Sequence, residues 1–352
     1  MLAIYRKYRP KKLENLLGQE TIVEVLKNAA INDKLAHAYL FYGPRGSGKT
    51  TTARLIAKIA NCEKRRNDKK FKTLGEPCNK CRPCVEIDEG RALDVIEIDA
   101  ASNRGIDEIR SLKEGIKFSP TSYQYKVYII DECHQLTKEA FNALLKTLEE
   151  PPDTTIFILA TTNLEKVPKT IVSRCVKVNF GIARKDDIIR MLKRIVKNEN
   201  IQLEENILQM IAQYSEHSFR DAAKILEEIS MQKISKLQDV EKYLGIRGKN
   251  NLLEIIDQKD LKTTLAWIEE FSQGGGNFKF LIENILEELH EAFLHTKGIG
   301  ENTIITHLST QEILLLIKLL MQAYGDLRAS PIESLPLEIS IAEFYNRRVV
   351  DH

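Results

Sequence analysis

The chain has one tryptophan, Trp267, and no apolar run near the ~18 uncharged residues that a bilayer-spanning helix requires. A membrane span is therefore not expected. Net charge is also scarce: 52 Lys and Arg face 50 Asp and Glu, leaving +2 with His neutral. Bulk charge gives no ground for strong nucleic-acid binding, which leaves only local patches to supply it. Residues 1–10 carry Arg6, Lys7 and Arg9 with no apolar core after them, so no secretory leader is expected. The six cysteines are then expected in a reducing cytoplasm, where metal binding is favoured over disulfides. The lone Trp267 reads as a core residue rather than a stacking platform for a base. What is present, 43% hydrophobic and 29% charged over 352 residues, suits a globular protein of two or three domains.

The organising stretch is Gly43-Pro44-Arg45-Gly46-Ser47-Gly48-Lys49-Thr50. It fits Gly-x-x-x-x-Gly-Lys-Thr, the phosphate-binding loop of nucleotide-hydrolysing proteins. An apolar run, residues 38–42, reads as a buried parallel strand before it. Residues 51–60 have helical spacing after it, with Leu55, Ile56 and Ile59 on one side. The glycines let backbone N–H groups curl around phosphate oxygens, and the helix start turns its positive end to the same anion. Lys49 would face the β- and γ-phosphates and Thr50 would offer its hydroxyl to Mg²⁺, with Thr51 alongside. Upstream, the basic and aromatic lead-in Tyr5-Arg6-Lys7-Tyr8-Arg9-Pro10 would wall an adenine base, chiefly through Tyr8 and Arg9, or would serve only as a strapped-down arm.

Cys62, then Cys78-Asn79-Lys80-Cys81-Arg82-Pro83-Cys84, supplies four thiols at metal-ligand spacing. Four thiolates complete a closed tetrahedral site, which points to structural rather than catalytic zinc. The basic run over residues 64–72 is most simply a solvated loop, and second a nucleic-acid contact. Residues 94–99 alternate as a strand. Ser102 or Asn103 would cap a helix over residues 106–117, where Arg104 is a candidate for touching a phosphate backbone.

Lys126-Val127-Tyr128-Ile129-Ile130-Asp131-Glu132-Cys133-His134 is an apolar strand ending in two carboxylates. Asp131 would hold Mg²⁺ and Glu132 would polarise the attacking water. His134 reads as a sensor of the site or a polar loop residue, and Cys133 as a small buried one. An amphipathic helix over residues 141–150 is stopped by Pro151-Pro152. Residues 155–160 form another buried strand, whose tip, Thr161-Thr162-Asn163, is suited to sensing a γ-phosphate. Ser173-Arg174-Cys175 precedes a last strand over residues 176–180. Alternating strands and helices predict an α/β fold, with a parallel sheet, helices on both faces and the ligand at the strands' carboxyl ends. From residue 181 on, periodicity is helical, broken by a hinge over Gly245 to Asn251 and by Gly274-Gly275-Gly276.

On these residues the chain resembles the gamma/tau subunits of the bacterial DNA polymerase III clamp loader, within the AAA+ ATPases. The resemblance rests on the lead-in, the phosphate loop, the four cysteines, Asp99-Ala100-Ala101-Ser102 and Asp131-Glu132-Cys133-His134. It rests also on residues 141–152, Ala160-Thr161-Thr162, Ser173-Arg174-Cys175 and Ser218-Phe219-Arg220-Asp221-Ala222. It implies an AAA+ module over residues 1–180 with a five-stranded parallel sheet and an inserted zinc module at about 62–84. A small helical lid over 181–244 and an all-α collar over 245–352 would follow. It implies Thr162 as first sensor, Arg220 as second sensor from the lid, and Arg174 as an arginine finger reaching the ATP site of the next subunit. The implied activity is ATP hydrolysis with Mg²⁺ that opens a sliding clamp and sets it on primer-template DNA; no polymerase active site is read in the chain. The implied partners are copies of the chain and subunits of delta and delta-prime type, joined as a pentamer. The span between Cys62 and Cys78 is longer and more basic than in many relatives, and longer family members continue into helicase- and polymerase-binding segments. Three rivals stand beside this reading: a hexameric branch-migration motor, a non-hydrolysing scaffold subunit, and a zinc-dependent DNA-binding protein with ATP as a structural ligand.

Overall fold

A computed structural model of the protein describes residues 3–102, 119–244, 252–258, 260–299 and 307–350. The expected helix over 106–117, with Asn103 and Arg104, and the hinge over 245–251 lie outside the described residues. The chain divides into two compact units, Met1–Gln232 and Lys233–His352.

The first unit opens with α1 (Ile4–Lys7), α2 (Glu20–Ile31), β1 (Ala38–Tyr42), α3 (Lys49–Asn61), α4 (Glu63–Asn67), α5 (Lys69–Lys72), α6 (Arg82–Glu89) and β2 (Val95–Asp99). It continues with β3 (Lys126–Asp131), α7 (Lys138–Glu149), β4 (Thr155–Thr161), α8 (Lys169–Val172), β5 (Val176–Asn179), α9 (Lys185–Glu199), α10 (Glu205–Tyr214) and α11 (Phe219–Met231). The strands form one five-stranded sheet, ordered β2-β3-β4-β1-β5, with every pairing parallel. Parallel neighbours need crossover connections, and among the described residues α3 to α6, α7 and α8 lie between successive strands.

Side chains alternate across the strands, and the central strands β1, β3 and β4 are apolar on both faces. Tyr39, Phe41, Val127, Ile129, Ile156 and Ile158 turn to one core, shared with Leu26 of α2 and with Ile56 and Ile59 of α3. Leu40, Tyr128, Ile130, Phe157 and Leu159 turn to the other, shared with Phe141 and Leu144 of α7 and Ile171 of α8. Register brings Tyr42 beside Thr161 and Asn179, and Asp99 beside Asp131. The phosphate loop, the acid pair and the Thr161-Thr162 tip therefore all leave the sheet at its carboxyl edge.

One expectation holds only in part. The basic run over 64–72 is largely solvated but is not a loop: it is folded into α4 and α5, with Arg65 only 8% exposed. Arg65 donates to the Ala30 carbonyl and, at 2.8 Å, to Asp33. Asp68 caps α5 by accepting from the N–H groups of Lys70 (2.9 Å) and Phe71 (3.0 Å). Asp33 and Asp68 thus fold part of the run down, which charge counting alone does not reveal, while Lys64, Arg66, Lys69 and Lys70 stay exposed.

The second unit contains α12 (Leu237–Tyr243), α13 (Leu252–Gln258), α14 (Leu261–Gln273), α15 (Phe278–Thr296), α16 (Thr310–Asp326) and α17 (Leu335–Val350). Its core joins Ile256, Ile268, Leu289, Leu316, Leu320 and Phe344. Ser309 starts α16 with a full capping box to Glu312. Tyr345 of α17 donates to the Ile256 carbonyl at 3.1 Å and lies 3.0 Å from the Thr264 hydroxyl, tying α13, α14 and α17 together. Trp267 is half-buried and stacks on Phe271, ring centroids 5.3 Å apart.

Phe41 is fully buried and packs on Phe180 with centroids 5.1 Å apart. Phe41→Ala is expected to cost the first unit about 3–5 kcal/mol, read as a lowered denaturant midpoint at unchanged slope.

Candidate active site

The loop between β1 and α3 is held by its own polar groups. The Gly43 N–H donates to the Thr161 carbonyl at 3.3 Å, and Ser47 Oγ to the Pro44 carbonyl at 2.8 Å. Lys49 is 6% exposed, and its Nζ donates to the carbonyls of Gly43 (2.8 Å) and Pro44 (2.7 Å). Burial pushes the Lys49 ammonium below the ordinary lysine range, against the pull of Glu132 and Asp131. Thr50 Oγ1 donates to Asp131 Oδ2 at 2.7 Å, so the two groups expected to share Mg²⁺ already face each other.

Glu132 sits just past the end of β3 in left-handed backbone, φ 48°. Such a conformation is uncommon for a residue with a side chain and turns the carboxylate toward the neighbouring strand tip. Its Oε2 accepts from Thr162 Oγ1 at 2.9 Å and from the Thr162 N–H at 3.3 Å. His134 Nδ1 lies 3.3 Å from the same oxygen and 3.0 Å from Thr161 Oγ1. His134 thus belongs to the acid cluster rather than to a free loop. Cys133 beside it is fully buried, and burial pushes its thiol up, leaving a small apolar group.

These groups open on a cavity of about 700 Å³. Arg45, Gly46, Ser47, Gly48, Lys49, Thr50 and Thr51 line its floor, and Asp131, Glu132 and Thr162 one side. Tyr8, Arg9 and Arg220 also line it. Gly43 and Pro44 are not among the lining residues; they lie beneath and receive the Lys49 ammonium. Burial lowers Arg9 from the usual arginine range, and neighbouring Arg54, Arg220 and Arg6 add to the effect. Six cations, Arg9, Arg45, Lys49, Arg190, Arg194 and Arg220, line the hollow against four carboxylates, a balance that suits an anionic ligand. Arg220 lies over the Tyr5 ring, 5.1 Å from its centroid.

Arg174 is not brought to this cavity. It donates to the Thr170 carbonyl at 2.7 Å and to Glu149, and its side chain is 32% exposed. Cys62, Cys78, Cys81 and Cys84, by contrast, do come together, with their sulfurs all within 4.8 Å of one another. The Cys78 N–H donates to Cys62 Sγ at 3.3 Å, and the N–H groups of Lys80 (3.4 Å) and Cys81 (3.3 Å) donate to Cys78 Sγ. Contact with Cys84, helped by the N–H groups of Arg65 and Cys78, draws the Cys62 thiol down to about 4 despite its burial. The same contact, with burial, pushes Cys84 up. Four crowded sulfurs cannot all carry charge unaided, and a soft divalent cation would relieve that conflict.

A sequence profile described as DNA polymerase III, delta subunit, matches residues 18–184. DNA polymerase III subunit tau of Bacillus subtilis is 41% identical over 315 residues, 88% of this chain and 55% of that protein. DNA polymerase III subunit gamma of Buchnera aphidicola (subsp. Schizaphis graminum) is 40% identical over 291 residues, 81% of this chain and 78% of that protein. The chain belongs to the gamma/tau subunit family of DNA polymerase III. Among solved structures, the Thermotoga maritima RuvB Holliday junction branch migration motor matches 74% of this chain and 85% of its own, at 17% identity and TM-score 0.48. The chain spans 55% of the length of the tau relative.

Several lining residues of this gamma/tau family member escape a reading by motif. Arg190 and Arg194 of α9 line the cavity, four positions apart on one helix face, where a basic stripe reads as solvated. Tyr5, Leu16 and Leu17 line it as well. These three belong to the aromatic and apolar N-terminal segment that the sequence reads as a wall or as a strapped-down arm. Gly46 has φ 75°, and a Cβ added there would lie 2.0 Å from Ser218 Oγ and 3.2 Å from Ser218 Cα. Ser218 is the N-cap of α11, accepting from the Asp221 N–H at 3.2 Å. The loop and the helix bearing Arg220 therefore touch at a point with no room for a methyl group. Gly46→Ala is expected to dislodge that cap, and amide hydrogen exchange over residues 219–231 should speed up at least about threefold.

Proposed function

We propose that the chain is an ATP-hydrolysing motor subunit of a bacterial clamp loader, an AAA+ ATPase acting in the cytoplasm. The observation that carries this reading is the 2.7 Å contact of Thr50 with Asp131, beside Lys49 and Glu132 in a cation-rich cavity. Thr50 and Asp131 would hold Mg²⁺, which when bound would shield the β- and γ-phosphate charge. Lys49 would turn from the Gly43 and Pro44 carbonyls to the phosphates. Glu132 would polarise the attacking water, with Thr162 fixing its carboxylate and sensing the γ-phosphate. Arg220 would contact the nucleotide from a helical lid over residues 181–244, coupling occupancy to lid movement. Arg174 would complete the site of the neighbouring subunit in trans; its partly exposed position, away from the cavity of its own chain, supports that role.

In this reading ATP binding favours a spiral of subunits that grips and opens the sliding clamp around primer-template DNA, and hydrolysis releases it. Contacts to DNA would be to phosphates, hence sequence-blind and salt-sensitive. The helical unit would serve as the collar joining copies of the chain with subunits of delta and delta-prime type. The four cysteines would hold structural zinc: tetrahedral ligation puts sulfurs about 3.8 Å apart, close to the observed cluster.

The test is ATP turnover by the reconstituted complex with clamp and primed DNA. Glu132→Gln is expected to lower turnover about 10²–10⁴-fold while nucleotide still binds, and Arg174→Ala to lower it about 10³-fold in the complex. Lys49→Ala should abolish it. Undiminished turnover in the Arg174 variant would remove the in-trans reading. Cys84→Ser is expected to cut zinc per chain, measured by mass spectrometry, to less than about half.

A further inference from the structure

We propose that the cysteine module sets the nucleotide affinity of the cavity, with Glu76 as the positioning residue that transmits its effect. The inference rests on the nucleotide and zinc readings above. Glu76 stands just ahead of Pro77-Cys78 and is only 3% exposed. Its Oε2 accepts the Leu13 N–H at 2.8 Å, and its Oε1 accepts the Glu14 N–H at 2.9 Å. Lys27 of α2 places Nζ 2.9 Å from Oε1. The two amides open the 3₁₀ turn Leu13–Asn15, where they have no partner within the turn and need an outside acceptor. Leu13 is itself fully buried.

This turn leads directly into the cavity wall: Glu14, Asn15, Leu16 and Leu17 all line it. Leu16 also reaches the phosphate loop, its Cδ2 3.9 Å from where a Cβ on Gly48 would stand. The module approaches α2 closely as well. At Gly75, φ 64°, a Cβ would lie 2.9 Å from the Lys27 carbonyl oxygen.

A second buried charge grips the same segment from α3. Lys58 is 1% exposed and donates to Asn79 Oδ1 at 2.6 Å, Asp88 Oδ1 at 2.8 Å and the Lys11 carbonyl at 3.4 Å. Asn79 lies between Cys78 and Cys81, and Asp88 on α6 with Cys84. Cys62 follows the last residue of α3, the helix that begins with Lys49 and Thr50. The cysteine module thus packs on the far end of α3 as well as on the turn that leads into the cavity wall.

The physical consequence is selective. A buried carboxylate is tolerated only while its partners stay in place. Binding the four sulfurs to one ion fixes Cys78, and with it the adjoining Glu76 and the turn that Glu76 caps. Without that anchor, nucleotide binding must itself order residues 13–17, which weakens affinity. Lys49, Asp131 and Glu132 are untouched, so the chemical step at saturation is unaffected.

The experiment titrates the full chain with a fluorescent N-methylanthraniloyl ATP and Mg²⁺, before and after zinc removal by a zinc-selective chelator, with metal content measured in parallel. Glu76→Gln is expected to raise Kd about tenfold, while kcat at saturating ATP stays within about twofold. Zinc removal should raise the wild-type Kd by a similar factor, but that of Glu76→Gln by less than about twofold, because the link is already cut. Should Glu76→Gln not fold, Lys27→Met, which removes the Glu76 ion-pair partner and a longer 3.8 Å approach to Glu14, should raise Kd about threefold. A folded variant with wild-type Kd, or zinc loss without effect on Kd, would overturn the proposal. So would a fall in kcat and Tm at unchanged Kd, the pattern of a purely structural role. Wild-type affinity in Lys49→Ala would instead sink the reading of the cavity as a nucleotide site, whatever Glu76→Gln does.

Discussion

A single hydroxyl–carboxylate hydrogen bond, from Thr50 to Asp131, joins the first turn of α3 to the end of β3 across the intervening tip of β4. It can form only because the strands run parallel and in register, so that their carboxyl ends finish level. One slip of register would turn the strand side chains to the opposite face and separate the loop from the acid pair. The two cores on either side of the sheet are what prevent that slip. The apolar packing of Phe41, Ile129 and Ile158 on one side, and of Tyr128 and Phe157 on the other, is in this sense what aligns the polar site.

The site is assembled from segments distant in sequence and tied together by short polar contacts. Thr162 and His134 close around Glu132, and the Ser218 cap presses on Gly46. The N-terminal arm is clasped by distant acids: the Ile4 N–H donates to Glu227 at 3.2 Å, and the Tyr8 hydroxyl to Glu199 at 2.6 Å. Each contact links the cavity to an element that could move with its contents. Such linkage is what the proposed function would need, because a ligand shifts a conformational equilibrium only through groups that differ between its states.

Much of this was legible in the residues. The phosphate loop, the acid pair and the cysteine spacing are local patterns, and β1, β3 and β4 are apolar runs between turn residues. The observed strands begin and end within two residues of their expected places. What stayed hidden was long-range pairing of charge. Arg65, Lys58 and Glu76 are buried charged residues whose partners Asp33, Asp88 and Lys27 lie 32, 30 and 49 positions away. Periodicity carries no record of such pairs, so a folded basic run reads as a solvated loop. The Arg190 and Arg194 stripe was missed for the same reason: a cation facing a cavity and one facing water look alike in sequence.

The solitary indole has a practical consequence. Trp267 belongs to the second unit and stacks on Phe271, while the first unit has only tyrosine and phenylalanine as aromatic chromophores. Emission excited at the red edge of protein absorbance therefore reports the helical unit alone. It can follow the melting or assembly of that unit without contribution from the first.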